Sequence, residues 1–175
     1  MRRDLPGLLL LLLVFSPTLV WVVEGWLQPD GYFAHGPLLV LVGLWAFWDR
    51  SAALAASPVR PSRTGLGLLV LFLCVHLGSQ ALQVDSVSGA VLVPAIFAWW
   101  LTVRGKASLR IAAAPLGTLF FAIPLPVFVT GRLAYGLKHL ATAGSVAFGN
   151  LFGMDLVHEG AKIRIPGVTE PTRPY

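Results

Sequence analysis

Apolar residues along this chain are gathered into long blocks, separated by short polar segments. Five blocks reach or approach the length of a membrane span, and they cover residues 5–23, 34–48, 66–82, 87–103 and 111–128. A helix of about 20 apolar residues crosses the hydrocarbon core of a bilayer. The pattern therefore predicts an all-α fold, a polytopic transmembrane helix bundle of about five spans.

The composition supports a membrane protein. Of the 175 residues, 56% are hydrophobic and 12% are charged, and the mean hydropathy is +0.76. Soluble domains contain roughly 25% charged residues, and disordered chains combine low hydrophobicity with high net charge. Both classes are therefore excluded. A disulfide scaffold is excluded as well, because Cys74 is the single cysteine.

The first apolar block follows Arg2 and Arg3, an arrangement also found in signal peptides. A signal's apolar region is usually about 7–15 residues long and ends at a site such as Ala-x-Ala. The block at 5–23 is longer and no such site follows it. We therefore expect a retained first span rather than a cleaved signal.

The basic residues predict the orientation of the bundle. Eight Lys and Arg residues precede position 128, and all fall on alternate connections: Arg2, Arg3, Arg50, Arg60, Arg63, Arg104, Lys106 and Arg110. Cytoplasmic loops are enriched in Lys and Arg, so the N-terminus is predicted to be cytoplasmic. The partner implied by this pattern is the lipid bilayer. Nucleic acid is not expected, because no basic patch is interleaved with exposed aromatic residues.

The region after the fifth block has a different pattern. Leu133, Leu137 and Leu140 recur at helical spacing within residues 129–154, which predicts an amphipathic helix at the outer surface or across the bundle. A sixth span over residues 140–152 is an alternative, although two glycines and an asparagine weaken it.

A short extracytoplasmic hairpin is predicted near the end of the chain. Residues 162–165 alternate polar and apolar side chains, and they are bracketed by Gly160 and by Pro166-Gly167, which is typical of strands joined by a turn. The predicted organisation is a transmembrane bundle at 1–128, an extracytoplasmic helix and hairpin at 129–169, and a disordered end at 170–175.

Several polar or small residues within the apolar blocks are candidates for function or packing. His76 is an ionisable residue within a span, which is a functional hypothesis by default, although a hydrogen bond to a neighbouring helix satisfies it equally well. Cys74 has apolar neighbours that disfavour the thiolate of a nucleophile, so we expect it to be buried and structural. Gly65 and Gly67 are interpreted as helix-packing positions. No spacing of ligands predicts a metal site, and no cofactor is expected.

Three segments resemble signatures of the exosortase family and occur in that family's order. They are Tyr32 to Gly36 (Tyr-Phe-Ala-His-Gly), Phe121 to Pro126 (Phe-Ala-Ile-Pro-Leu-Pro), and Leu151 to Gly160 followed by Ile163 to Thr169. The resemblance implies a multi-span enzyme of the bacterial cytoplasmic (inner) membrane. It also implies a cysteine peptidase or transpeptidase, which processes exported proteins with C-terminal Pro-Glu-Pro (PEP-CTERM) sorting signals and often accompanies exopolysaccharide production.

The resemblance covers only the N-terminal part of such an enzyme. The family's proposed catalytic cysteine lies in an Ala-Cys-Ser-Gly segment after the hairpin, with an arginine and a histidine on later spans. The present sequence reads to Tyr175 without that segment, and Cys74 does not match its position. We therefore expect a truncated enzyme in which no catalytic residue is carried over, or alternatively a non-catalytic membrane scaffold or partner-binding protein.

Five residues are predicted to belong to a substrate pocket: Tyr32, His35, Gly36, His158 and Glu159. His35 follows a polar loop at the outer mouth of the second block. A histidine there is either a solvated polar tip or a pocket residue, since ionisable groups are rare near membrane depth.

Overall fold

The structure is a computed structural model that describes residues 4–28, 33–124, 127–160 and 162–164. The chain divides into two compact units, Met1–Leu125 and Pro126–Tyr175. Helices dominate the described residues of both units, so the all-α class is confirmed.

The first unit is helical throughout its described residues. Its elements are α1 (Leu5–Val14), α2 (Ser16–Leu27), α3 (Gly36–Asp49), α4 (Ser51–Ala56), α5 (Arg63–Ala81), α6 (Asp85–Val103), α7 (Lys106–Thr118) and a 3₁₀ segment (Leu119–Ala122). The helices α5 and α6 pack against each other along their lengths. The buried core is centred on α6, which contributes Leu92, Val93, Ile96, Trp99 and Trp100.

Two helices are long and apolar enough to cross a membrane. These are α5 and α6, each with 19 residues, and the bent pair α1–α2 is a third if it counts as one span. The second and fifth apolar blocks form shorter helices, because α3 has 14 residues and α7 has 13. Length and composition thus identify two or three spans among the described residues, fewer than the five expected.

The first apolar block is not one continuous helix, although its two halves together are long and apolar enough for one broken span. The axes of α1 and α2 differ by 73°, and the break falls at Phe15, ahead of Pro17 in the first turn of α2. Proline lacks a backbone N–H, and its ring clashes with the carbonyl four residues earlier. The bend therefore has a local cause in the sequence.

A buried polar network holds this bend against α5 and α6. The His76 Nδ1 atom lies 2.6 Å from Ser88 Oγ, and its Nε2 atom lies 3.1 Å from the Val14 carbonyl oxygen. Ser88 is also hydrogen-bonded to Thr18, and the His76 ring stacks on Phe15 with centroids 4.0 Å apart. Because a carbonyl oxygen can only accept, Nε2 is the donor in the contact with Val14. His76 therefore satisfies a carbonyl of the last turn of α1, where helical donors are missing.

Two residues of α5 differ from the sequence-based expectations. Cys74 is exposed on the outer surface of the helix, about 200° around the helix from His76, so the prediction of a buried thiol is wrong. Apolar neighbours mark a lipid-facing surface as well as a core. Gly65 packs tightly on the backbone of α6 near Thr102, whereas Gly67 has no neighbour within 4 Å, so the packing interpretation holds only for Gly65.

The start of α1, the start of α5 and the end of α6 meet at one end of the first unit. The Arg104 side chain contacts Asp4 Oδ2 at 2.8 Å through Nε and at 2.6 Å through Nη2, and the two side chains are 7% and 19% exposed. Backbone hydrogen bonds run from Arg60 N to Arg104 O at 3.1 Å and from Ser62 N to Thr102 O at 3.3 Å. These contacts fix the connections that carry most of the basic residues.

The second unit contains one long helix and a pair of short strands in its described part. They are α8 (Val127–Leu151), β1 (Val157–Glu159) and β2 (Lys162–Arg164). The strands pair antiparallel, with Val157 opposite Arg164 and Glu159 opposite Lys162. The predicted leucine row of α8 is exposed, and Leu140 reaches 71%.

Side-chain and backbone contacts close the end of α8. Met154 N donates to Gly149 O and Gly153 N donates to Asn150 O, both at 3.1 Å, the pattern of a Schellman cap. The Asn150 amide then brackets the backbone of Leu156, accepting from its N–H at 2.8 Å and donating to its carbonyl at 3.1 Å. The cap directs the chain from α8 into β1.

Replacing His76 by alanine is expected to destabilise the first unit by about 2–4 kcal/mol, because the change opens a cavity beside Phe15, leaves the Val14 carbonyl without the imidazole and removes one of the two hydrogen bonds of Ser88. Reversible unfolding in mixed micelles measures this loss. Cys74→Ala is the matched control on the same helix and is expected to change stability by less than about 0.5 kcal/mol. Equal effects of the two substitutions would contradict the structural role of His76.

Candidate functional site

Trp26, in the last turn of α2, joins two segments that the sequence analysis identified. Its Nε1–H donates to the carbonyl oxygen of Ala122 at 2.6 Å. The same indole lies against Gly36, the first residue of α3, where a Cβ atom would overlap the ring. Gly36 is buried, so the close approach of Trp26 requires glycine at position 36.

The segment 121–124 packs along the end of α2. A Cβ atom on Gly25 would lie only 2.8 Å from Pro124 Cγ, and Ala122 and Ile123 are buried. Phe121 points outward and is 70% exposed. This end of the first unit thus presents an exposed aromatic ring beside a buried backbone segment.

His35 directly precedes α3 and is exposed. Its backbone carbonyl accepts from Leu39 N at 3.2 Å, and Gly36 N donates to Phe33 O at 2.8 Å. The His35 ring lies 6.1 Å from the Phe33 ring, and among the described residues it makes no hydrogen bond through its nitrogens. The predicted pocket residue Tyr32 lies outside the described residues.

The start of α3 is also electrostatically suited to an anion. The helix dipole places partial positive charge there, but few backbone donors are left for a ligand, because Gly36 N and Leu39 N already donate to Phe33 O and His35 O. Pro37 occupies the first turn of α3, where its missing N–H costs nothing. Glu24 in α2 is acidic and exposed, so it repels a ligand's carboxylate. Such a carboxylate therefore has more favourable surroundings at His35, beside the start of α3, than at Glu24.

The two predicted site residues of the second unit do not form one site. His158 and Glu159 are neighbours in β1, so their side chains point to opposite faces of the strand pair. His158 faces α8, where its ring lies 5.9 Å from that of His139. Glu159 instead lies 3.8 Å from Arg164, and both side chains are about two-thirds exposed, an arrangement that contributes little to stability.

Two residues of α8 that the sequence analysis did not assign to a site join His158. The Tyr135 and His139 rings are in edge contact with centroids 4.4 Å apart, and His139 contacts His158. The spacing of four between Tyr135 and His139 places both on one helix face, which is the signal that could have identified the pair.

Neither a metal site nor a cysteine–histidine pair is formed within the described ranges. No group of three or more His, Cys, Asp or Glu residues gathers there. Cys74 and His76 lie on nearly opposite sides of α5, and both His76 nitrogens are engaged in hydrogen bonds. The geometry therefore brings no base to the Cys74 thiol.

Comparison with known proteins assigns the chain to a family. The family model of the transmembrane exosortases matches residues 21–170, which include Trp26 and all three segments that carry the resemblance. No curated protein and no solved structure gives a significant match. Because the match covers most of the sequence, the chain belongs to the transmembrane exosortase family.

Proposed function

We propose that this chain lies in the bacterial inner membrane and binds the C-terminal sorting segment of exported proteins. The binding site is the end of the first unit at which Trp26, Gly36 and Ala122 meet. One observation carries the proposal: two family-like segments converge on Trp26, although Trp26 and Ala122 are 96 positions apart in sequence. Such convergence is the arrangement expected of a functional surface.

We propose a cytoplasmic N-terminus because two observations divide the helix ends into the same two groups. These are the contacts between the ends and the presence or absence of Lys and Arg in their connections. The ends held together by Arg104, Asp4 and Arg60 belong to the connections that contain Lys and Arg. The ends held together by Trp26 belong to connections without them. By the positive-inside rule, the Trp26 end is then extracytoplasmic, as are residues 129–169.

The proposed count of five spans includes two short ones. The helix α3 packs against α7, and Gly43 in the middle of α3 lies against Thr118, the last residue of α7. With 14 residues, α3 extends about 21 Å, less than the roughly 30 Å of a typical hydrocarbon core. Local thinning of the bilayer accommodates such a mismatch at a modest cost.

The Trp26 end offers the chemistry that a Pro-Glu-Pro segment requires. Proline rings pack on aromatic faces, and the exposed Phe121 ring supplies one beside the half-buried Trp26. A glutamate carboxylate accepts hydrogen bonds from an imidazole and is favoured near a helix N-terminus, and His35 lies at the start of α3. The site therefore matches both parts of the signal.

The proposed role of the described residues is docking rather than cleavage. Peptide cleavage by a cysteine enzyme needs a thiolate beside a base, with donors for the developing oxyanion. Cys74 faces the outer surface of α5, away from the engaged ring of His76. A second candidate, a scaffold for another membrane partner, uses the same exposed Trp26 end without the signal's glutamate.

Filling the space beside Trp26 is expected to weaken docking. Gly36→Ala places a methyl group against the indole, and overpacking of this kind costs about 1–3 kcal/mol. If the docking equilibrium bears this cost, it corresponds to about a 5- to 150-fold loss of affinity for the signal. The measurement is co-purification of the full chain with a membrane-anchored reporter that carries a C-terminal Pro-Glu-Pro signal.

The matched control is Gly67→Ala, because a Cβ atom added there would meet no other part of the fold within 4 Å. It is expected to leave co-purification unchanged. Equal retention by both variants contradicts the docking site, as does equal retention of a reporter with a scrambled signal. A trimmed reporter that disappears in Cys74→Ala contradicts docking without cleavage.

The His35 imidazole is expected to contact the glutamate of the signal. His35→Ala and a Glu→Gln change in the signal should each weaken docking, and the double change should lose little more than either single change, because interacting groups are non-additive. The fold should be unaffected, since the ring is exposed. Purely additive losses would contradict a direct contact between the two residues, and the absence of any loss from the Glu→Gln change would favour the scaffold alternative.

Orientation is tested with reporters that are active only outside the cytoplasm. A fusion after Gly167 is expected to be active and a fusion after Arg63 silent, because the Lys and Arg residues keep the connection at Arg63 inside. Fusions of a reporter that is active only in the cytoplasm provide the control and should give the complementary pattern. The reverse pattern would invert the proposed topology.

A further inference from the structure

Four cationic side chains line an open cavity at the basic end of the first unit. They are Arg60 and Arg63 near the start of α5, and Lys106 and Arg110 on α7, around a volume of about 510 Å³. No carboxylate lines this cavity. Within the part of the chain that the structure describes, Arg104 and Arg164 form ion pairs, whereas the four cations of the cavity have no acidic partner.

The fold holds these charges together. Arg60 N and Ser62 N are bonded to the carbonyl oxygens of Arg104 and Thr102, which fixes one wall against the other. Gly105 links α6 to α7 with a φ of +85°, and its Cβ position is occupied by the Arg60 carbonyl, so only glycine allows this approach. A topology signal requires basic residues on one side of the membrane, but it does not require two distant segments to converge.

The backbone adds to the positive potential of the cavity. The helices α5 and α7 both begin here, and neither start is capped by a side chain. Their first N–H groups are therefore free to donate, and both helix dipoles place partial positive charge at the cavity. Clustering four like charges is unfavourable without an anion to offset their repulsion.

An apolar surface continues from the cavity along α5. Leu66 and Val70 are each 51% exposed and follow Arg63 at spacings that place all three on one side of the helix. Because α5 is a candidate span, this surface faces lipid. A basic cavity joined to a lipid-facing apolar strip matches an anionic headgroup attached to acyl chains, whereas a soluble anion uses only the cavity.

We propose that this cavity binds the phosphodiester of an anionic membrane phospholipid, with the acyl chains lying along Leu66 and Val70. Basic pockets between transmembrane helices bind such headgroups, and the volume is in the range of small-molecule sites. The proposal requires the chain to be embedded in a membrane but does not depend on recognition of a sorting signal.

The test uses the purified full chain in neutral detergent and three probes: dioctanoyl-phosphatidylglycerol, dioctanoyl-phosphatidylcholine and inorganic phosphate. We expect the phosphatidylglycerol to bind at least about tenfold more tightly than either other probe, since both the charge and the chains contribute. Removing two charges with Arg63→Gln and Arg110→Gln should weaken its binding by about thirtyfold. Intrinsic tryptophan fluorescence and native mass spectrometry provide the readouts.

The matched control removes two charges outside the cavity, with Arg50→Gln and Arg132→Gln, and should keep the affinity. Equal binding of phosphatidylcholine would overturn the proposal, because the charges would then be unused. Equal binding of inorganic phosphate would identify a soluble anion as the occupant and overturn the proposal. An equal loss of phosphatidylglycerol affinity in the control would also overturn it, because net charge alone would then explain the loss.

A further pair of variants separates binding from folding. The pair Arg63→Lys and Arg110→Lys retains both charges and should retain most of the affinity. This pair decides the question if the Gln pair lowers the melting temperature, because a loss of binding in the Gln pair could then come from misfolding. If the Gln pair and the Lys pair both lost the affinity for phosphatidylglycerol while keeping the normal melting temperature, binding would require the arginine geometry and not the charge. That result would overturn the proposal. Co-purification of the sorting-signal reporter should persist in the Gln pair, so this proposal and the docking proposal fail independently.

Discussion

The bend between α1 and α2 and its hydrogen bond to His76 determine the direction of the chain in the first unit. A broken helix inside an apolar bundle exposes backbone groups that neither lipid nor apolar side chains can satisfy. His76 Nε2 satisfies the Val14 carbonyl, and the stack on Phe15 fills the inside of the bend. With the bend fixed, α2 ends where Trp26 reaches Gly36 and Ala122. A stabilising polar contact therefore positions the proposed docking site.

The predictable parts of the fold were those determined by the length of an apolar block and by the residues that interrupt it. The third and fourth apolar blocks predicted α5 and α6 closely, because their 19 residues are uninterrupted except for Pro94. The bend within the first block was not predicted, because hydropathy does not register the effect of Ser16-Pro17 on the backbone. Cys74 was misjudged because apolar neighbours are equally typical of a protein core and of a lipid-facing surface.

The candidate site was only partly predictable. His35 and Gly36 were identified through the resemblance, but Trp26 was not, because nothing in the sequence distinguishes it from the other five tryptophans. Its role depends on a contact across 96 positions, which no local pattern encodes. The separation of His158 from Glu159 was predictable, since neighbouring residues of a strand face opposite sides.

The docking proposal and the lipid proposal, which concern the two ends of the first unit, place related constraints on the proposed sorting segment. A sorting segment of the kind recognised by exosortases combines a Pro-Glu-Pro motif, an apolar stretch and a basic end. If the motif docks at the Trp26 end, the apolar stretch extends through the bilayer and its basic end reaches the leaflet of the four-cation cavity. Four unpaired cations would repel that end. A bound phospholipid removes the repulsion by supplying a phosphate, and the Arg63→Gln, Arg110→Gln pair lowers it by removing two charges, so docking at the other end persists in both cases.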